Sequence, residues 1–433
     1  GDDFPIVHAD LYRIAGPQEL ADLGWDEATD SALVLVEWAE RAGGALPADR
    51  LDVRLTIAAG ADESRMIDIT GAGTFVARLA RAKGASEVLR RSGWLEAERT
   101  FMLGDASTRA YERLTKPDGA RAILMISPPR PDGPPVRYGK PYSAIAHLAE
   151  NIRPFVAMDH ALRAKSLSAP EIYAADLDGG FAVLEDLGAE GVVDEQGPIR
   201  DRYAAALDVL AHLHGMTLPD SVPLSETRAY RIPPYDLDAL LIEVELLTEW
   251  YAPHIARTHP SSGARASFVN LWRQALADIV AAAPTWTLRD YHSPNLIWLE
   301  AREGLARVGI IDFQDCVMGH PAYDVASLLQ DARVTVPDDL EIRLLGHYAQ
   351  ARRAASADFD MAAFARAYAL LGAQRATKIL GIFARLDKRD GKPQYLDHLP
   401  RVARYLRKNL AHPALAPLRD WYAANLPRLL EGD

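Results

Sequence analysis

Within residues 288–315, LRDYHSPNLIWLEAREGLARVGIIDFQD, two short apolar runs lie close enough together to pair as a hairpin. Polar residues crowd their ends. Asp290 stands before the first run, Asn295 follows it by five residues, and Asp312 closes the second run 17 residues further on. Helical periodicity surrounds the stretch on both sides, so the fold must seat a small β element in a helical body. Two carboxylates and an amide at strand ends suit metal-assisted phosphoryl transfer. In that chemistry one carboxylate orients the attacking hydroxyl, while a carboxylate and an amide oxygen hold Mg²⁺ on the phosphates.

The whole chain sets outer limits. Its 433 residues suggest two or three compact units, and 49% hydrophobic with 25% charged residues describe a globular protein. A net charge of −12 argues against broad binding to nucleic acid or anionic membranes. The single cysteine, Cys316, leaves no internal disulfide or thiolate metal cluster and fits a reducing cytoplasm. No apolar run approaches the ~18–20 residues of a membrane span. The start, GDDFPIVHADLYRI, has no secretion-signal pattern and no initiator methionine, so a processed or partial chain is expected.

Residues 1–85 read as mixed α/β: PIVHADLYRI as a strand, GPQELADLGWDEA as a short helix, and ALVLVEW as a buried strand. DRLDVRLTIAA and SRMIDITGAG follow as a hairpin, and residues 73–93 as a helix. Residues 86–188 read as a β-rich lobe ending in a hinge, and residues 189–433 as a helical lobe. The proline-rich segment 128–141 is expected to be a surface loop, and helical periodicity returns over AIAHLAENIRPFVAMDHALRA. The turn LGDASTRAY (103–111), with Gly104, Asp105, Ala106, Ser107, Thr108 and Arg109, has the small residues and hydroxyls of a phosphate-covering element. FAVLEDLG (181–188) leads into the hinge, where backbone from Glu185 to Leu187 would meet adenine.

The spacing D-x-x-x-x-N matches the protein-kinase catalytic loop, and Asp312-Phe313 matches D-F-G except that Gln314 replaces the glycine. With GDASTRAYERL, LEDLG, RDYHSPNL, IIDFQDCVMGHPAYDVASLLQDAR and TKILGIFARLDKRDGKPQYLDHLPRVARYL, residues 94–425 resemble the aminoglycoside phosphotransferase/choline kinase superfamily. Within it they are most similar to the bacterial anomeric kinases of N-acetylmuramate and N-acetylglucosamine, which act in cell-wall sugar recycling. The resemblance implies an α+β, protein-kinase-like two-lobe fold, ATP and Mg²⁺ as cofactors, and an amino-sugar acceptor. It also implies Asp290 as base, Asn295 and Asp312 as metal ligands, Asp324 as an internal organiser, and His292 and Asp315 near the acceptor. Met125 stands where a protein kinase has its strand lysine, which leaves Arg109, Arg113, Lys140 or metal alone to meet phosphate charge.

Arg375 and Lys378 lie three apart on one helix, either as a solvated basic stripe or as a cleft-facing pair for the lactyl carboxylate of N-acetylmuramate. In HLH (212–214) the histidines point apart on a helix, which disfavours a metal site, and Trp250, Trp272, Trp286 and Trp298 read as core. The N-terminal VHADLYRIAGPQELADLGWDEA and LVLVEWAERAGGALPADRLDVRL, with Asp10 and Glu37, resemble the later half of the TsaE-like ATPase subunit of the tRNA threonylcarbamoyladenosine system. That family is a P-loop one, yet no Walker sequence G-x-x-x-x-G-K-[ST] occurs in this chain. The unit is either one half of a fused function or a packing remnant. Alternatives are therefore a kinase of another alcohol, such as an aminoglycoside or choline, and an accessory protein that binds threonylcarbamoylation proteins.

Overall fold

The computed structural model describes residues 5–57, 65–102, 109–129 and 133–431. The chain divides into two compact units, Gly1–Glu87 and Val88–Asp433.

In the first unit β1 (Ile6–Asp10) and β2 (Leu33–Glu37) pair in parallel, and β3 (Arg50–Ile57) pairs antiparallel with β4 (Arg65–Ala72). The helical reading of GPQELADLGWDEA becomes two short helices, Pro17–Asp22 and Trp25–Thr29, parted by Gly24 at φ 72°. Leu11, Leu20 and Ala42 make a small core. The buried-strand expectation for ALVLVEW needs correction: Leu33 and Leu35 are 47% and 52% exposed. A parallel pair buries its faces only when helices or further strands cover them, and a two-stranded sheet cannot do this alone.

The second unit has a β-rich lobe and a helical lobe. Strands β5 (Glu98–Met102), β6 (Ala110–Thr115) and β7 (Arg121–Ile126) form a meander. After the small hairpin β8 (Pro135–Arg137) and β9 (Lys140–Pro141), strands β10 (Ile172–Asp176) and β11 (Phe181–Glu185) complete the sheet. The order is β10-β11-β7-β6-β5, antiparallel throughout. Helical periodicity over 144–164 resolves into Tyr142–Ile145 and Arg153–Arg163. Between them the Asn151 side chain accepts the Arg153 N–H, and Pro154 favours a helix start there. The segment read as a loop at 128–141 carries β8 and β9, and Arg137 reaches Glu245 across 2.5 Å.

The helical lobe is built around the helix Met361–Asp390. Asp360 caps its start by accepting the N–H groups of Ala362 and Ala363, and Gly391 at φ 64° ends it. It packs on the helices Leu237–Leu246, Ala322–Leu329 and Leu399–Leu410. Gly381 allows this contact, because a Cβ there would lie 2.4 Å from the Leu246 carbonyl carbon. After Leu246 the chain widens to a π-helical turn, Leu247–Tyr251. The short strands Leu296–Trp298 and Val308–Ile310 pair antiparallel, as the apolar runs predicted. Trp272 and Trp286 are fully buried and Trp298 nearly so, while Trp250 is half-buried. His214 is buried against the Tyr348 hydroxyl at 2.9 Å and His212 is exposed, so the two point apart.

Asp159, on the helix Arg153–Arg163, is fully buried, and neither carboxylate oxygen has a hydrogen-bond partner among the described residues. Burial pushes its carboxyl up to about 8, with Arg163 opposing and Glu185 and Glu171 adding to the rise. The folded state therefore keeps a proton that the unfolded chain releases above 3.8. Stability contributed by this group falls as pH rises through that window and is level above about 8. Asp159→Asn is expected to lose less stability than the parent between about pH 5 and about pH 8 in urea unfolding. Equal losses would contradict the assignment.

Candidate functional site

The loop Leu288–Asn295 is held from below by acids on a neighbouring helix and the turn that follows it. Asp324 accepts the N–H groups of Leu288 and Arg289 at 2.7 and 2.9 Å. Asp331 accepts both the N–H and the hydroxyl of Ser293, at 2.8 and 2.6 Å, and the Ser327 hydroxyl donates to the Arg289 carbonyl. These contacts fix Arg289 at φ 66°, a left-handed conformation that costs a non-glycine residue energy and that the surrounding bonds hold in place. Asp290 follows directly. Burial pushes the Asp324 carboxyl up to about 7, against the two backbone donors that favour its anion.

The Asn295 side-chain amide donates to the Asp290 carbonyl at 2.9 Å, which leaves its oxygen for another partner. The Asn295 carbonyl accepts the Ile311 N–H, which sets the second acid beside the first loop. Asp312 is itself left-handed at φ 61°. Its Oδ1 takes a bond of 2.8 Å from the Gln314 side chain and one of 3.2 Å from the Arg109 guanidinium. Gln314 thus supplies a donor to the carboxylate where a glycine has no side chain. Asp315 accepts the Ala149 N–H at 2.7 Å.

The three acids feel one another. Burial raises Asp312 above the ordinary carboxylate range, Asp290 adds to this, and Arg109 opposes it. Burial also raises Asp315, with Arg289 opposing and Asp290 adding. Crowded carboxylates that repel in this way favour a cation between them. Among the described residues, no three His, Cys, Asp or Glu side chains form a metal cage. A carboxylate and an amide oxygen are the hard donors that Mg²⁺ takes when phosphates and water complete its shell. His292 lies beside Asn295, its Nδ1 is buried without a partner among the described residues, and burial lowers its pKa.

Other expected positions fall differently. Gly104, Asp105, Ala106, Ser107 and Thr108 lie outside the described residues. Arg113 is paired with Asp186 at 3.1 Å, Lys140 is exposed on β9, and Met125 is fully buried. Of the three cations considered for phosphate, Arg109 is the one bonded to Asp312. The Glu185 side chain pairs with Arg302, and its N–H donates to Glu171, so that donor is already used. Leu187 lies under Gly309 and is half-buried.

A solvated stripe at Arg375 and Lys378 is overturned. Arg375 is 6% exposed and donates to the Gln330 carbonyl. Lys378 is paired with Glu243 at 2.9 Å and donates to the Tyr323 hydroxyl. Glu243, fully buried, also takes Arg289, the Tyr235 hydroxyl at 2.6 Å and the Gln374 amide at 3.0 Å. Sequence reasoning missed Glu243, Asp331 and Arg289. The one available signal was Glu243 in ALLIEVELL (239–247), a run in which Glu245 is the only other polar residue.

Comparison with known proteins adds sequence relationships to this geometry. Residues 98–365 match the Phosphotransferase enzyme family, and residues 1–67 match the Threonylcarbamoyl adenosine biosynthesis protein TsaE family. The chain is 39% identical over 363 residues to the N-acetylmuramate/N-acetylglucosamine kinase of Caulobacter vibrioides, covering 80% of this chain and 97% of that protein. With the kinase of the same name from Pseudomonas putida it shares 33% identity over 346 residues, 78% of this chain and 92% of that one. Its first part is 41% identical over 76 residues to the tRNA threonylcarbamoyladenosine biosynthesis protein TsaE of Streptomyces coelicolor, and spans 51% of that protein. Among the described residues, no helix is long and apolar enough to cross a membrane.

Proposed function

The chain belongs to the phosphotransferase enzyme family, and on that footing we propose that it transfers the γ-phosphoryl group of ATP to the anomeric hydroxyl of N-acetylmuramate or N-acetylglucosamine. One observation carries the reading: Asp312 takes Arg109 and feels the charge of Asp290, whose carbonyl in turn takes the Asn295 amide. Relatives with this activity in their names span nearly their whole length on this chain.

Asp290 orients the anomeric hydroxyl and takes its proton as the sugar oxygen bonds to the γ-phosphorus and the bond from that phosphorus to the bridging oxygen breaks, releasing ADP. Asn295 and Asp312 are the residues that would hold Mg²⁺, and when bound that ion neutralises phosphate charge. Arg109, already at Asp312, supplies fixed positive charge in place of the strand lysine that Met125 displaces. Residues 104–108 are assigned to the phosphates by their small side chains and hydroxyls alone, and the hinge at 185–187 is assigned to adenine through backbone beyond the Glu185 N–H. His292 and Asp315 stand on the acceptor side. We assign phosphoryl transfer to residues 86–433, the β-rich lobe and hinge at 86–188 and the helical lobe at 189–433, because the phosphotransferase family match, 98–365, falls within them. Use of ATP places the activity in the cytoplasm.

Incubation with MgATP and a panel of alcohols, followed by phosphorus NMR, tests the reading. A sugar 1-phosphate from either N-acetylated amino sugar is the expected product. Turnover confined to aminoglycosides or choline would refute it.

A further inference from the structure

Lys378, Ile382 and Arg385 follow one another down a single face of the helix Met361–Asp390. Lys378, at the start of this face, lies within electrostatic reach of Asp290, the proposed base. Seven residues on, about 10 Å along the helix axis, the Arg385 guanidinium lies 5.0 Å from the centre of the Tyr142 ring. Tyr142 joins the two ends, because its hydroxyl lies within electrostatic reach of both Lys378 and Arg385.

The two cations have different partners. Lys378 is consumed by Glu243. Arg385 is half-buried, its Nε is buried without a hydrogen-bond partner, and it is paired with no carboxylate among the described residues. Its surroundings hold three further guanidiniums, Arg137, Arg265 and Arg389, against three carboxylates, Glu245, Glu249 and Asp390. Arg137 takes Glu245. Arg265 and Glu249 line a shared cavity of about 350 Å³ beside the π-helical turn. Arg389 takes Asp390, so with Glu249 shared between Arg265 and Arg385 one positive charge is left over on guanidiniums whose planar fork matches a carboxylate.

We propose that Arg385, steadied on the Tyr142 ring, is the specificity-determining residue that receives an acidic substituent of the acceptor. This rests on the function proposed above. Of the two acceptors, only N-acetylmuramate carries such a group, a lactyl carboxylate. A pyranose with that arm spans a distance of the same order as the separation between the base end of the helix face and Arg385. Arg375 and Lys378, the pair considered from sequence, are each bonded inside the protein, and the recognition cation lies farther along the same helix.

The test compares kcat/KM for the two sugars in the full chain and in Arg385→Gln and Arg385→Lys, with melting temperature as a check on folding. Losing a charge-assisted bond to carboxylate is expected to lower N-acetylmuramate turnover about 10- to 100-fold in Arg385→Gln. N-acetylglucosamine should stay within about threefold, and Arg385→Lys should fall between the parent and Arg385→Gln for N-acetylmuramate. Equal losses on both sugars, or no loss on N-acetylmuramate, would overturn the inference. If the parent phosphorylates neither sugar, the proposed function itself fails. If it phosphorylates both and Arg385→Gln treats them alike, only this inference fails.

Discussion

Asp290→Asn is expected to lower kcat for sugar phosphorylation by about 10²–10⁴-fold, the usual range for removing a positioned base. KM for ATP should change little. The asparagine keeps the size of the side chain and the loop bonds, because the Asp290 groups that bind its neighbours are its backbone N–H and carbonyl. The loss is therefore chemical rather than structural, and a parent-like melting temperature would show that. Asp312→Asn makes a useful comparison. Asp312 is bonded to Arg109 and Gln314 through its carboxylate, so its replacement should shift the Mg²⁺ concentration needed for half-maximal rate. Asp290→Asn should leave that concentration nearly unchanged. Steady-state rates across a Mg²⁺ series decide the matter. Near-parental turnover in Asp290→Asn would remove it from the role of base.

The meeting of Asp290, Asn295 and Asp312 was legible in the sequence because its determinants are local. The acid and amide share one loop, and the hairpin that brings Asp312 alongside comes from two apolar runs with one short connection. The helix Met361–Asp390 was legible in the same way, from its periodicity. What stayed hidden depends on distant partners. Arg375 and Lys378 share a face in sequence, but only the packed lobe shows that Gln330 and Glu243 hold them. Asp331 reaches Ser293 from 38 positions away. Exposure of Leu33 and Leu35 was equally hidden, because an apolar strand reads as buried whether or not a neighbour covers it.

The second large effect concerns the charge beneath the loop. Glu243 is one buried anion facing two cations, Arg289 and Lys378, and these hold its carboxyl down at about 2 despite its burial. Arg289 is the residue before Asp290, and its other donor reaches the Ala146 carbonyl. Glu243→Gln keeps the shape but leaves two buried cations uncompensated, a change that costs about 3–5 kcal/mol when a buried pair is broken. Lys378→Met instead leaves Glu243 with Arg289, a closed pair, and removes the surplus charge. It is expected to cost less than Glu243→Gln in chemical denaturation. Both variants should fold well enough to assay at low temperature. There Glu243→Gln should also lower kcat more than KM, because Arg289 sets the backbone from which Asp290 projects. If Lys378→Met proves as damaging to stability as Glu243→Gln, the surplus cation is not what the cluster is carrying. Arg289 would then not be its principal partner.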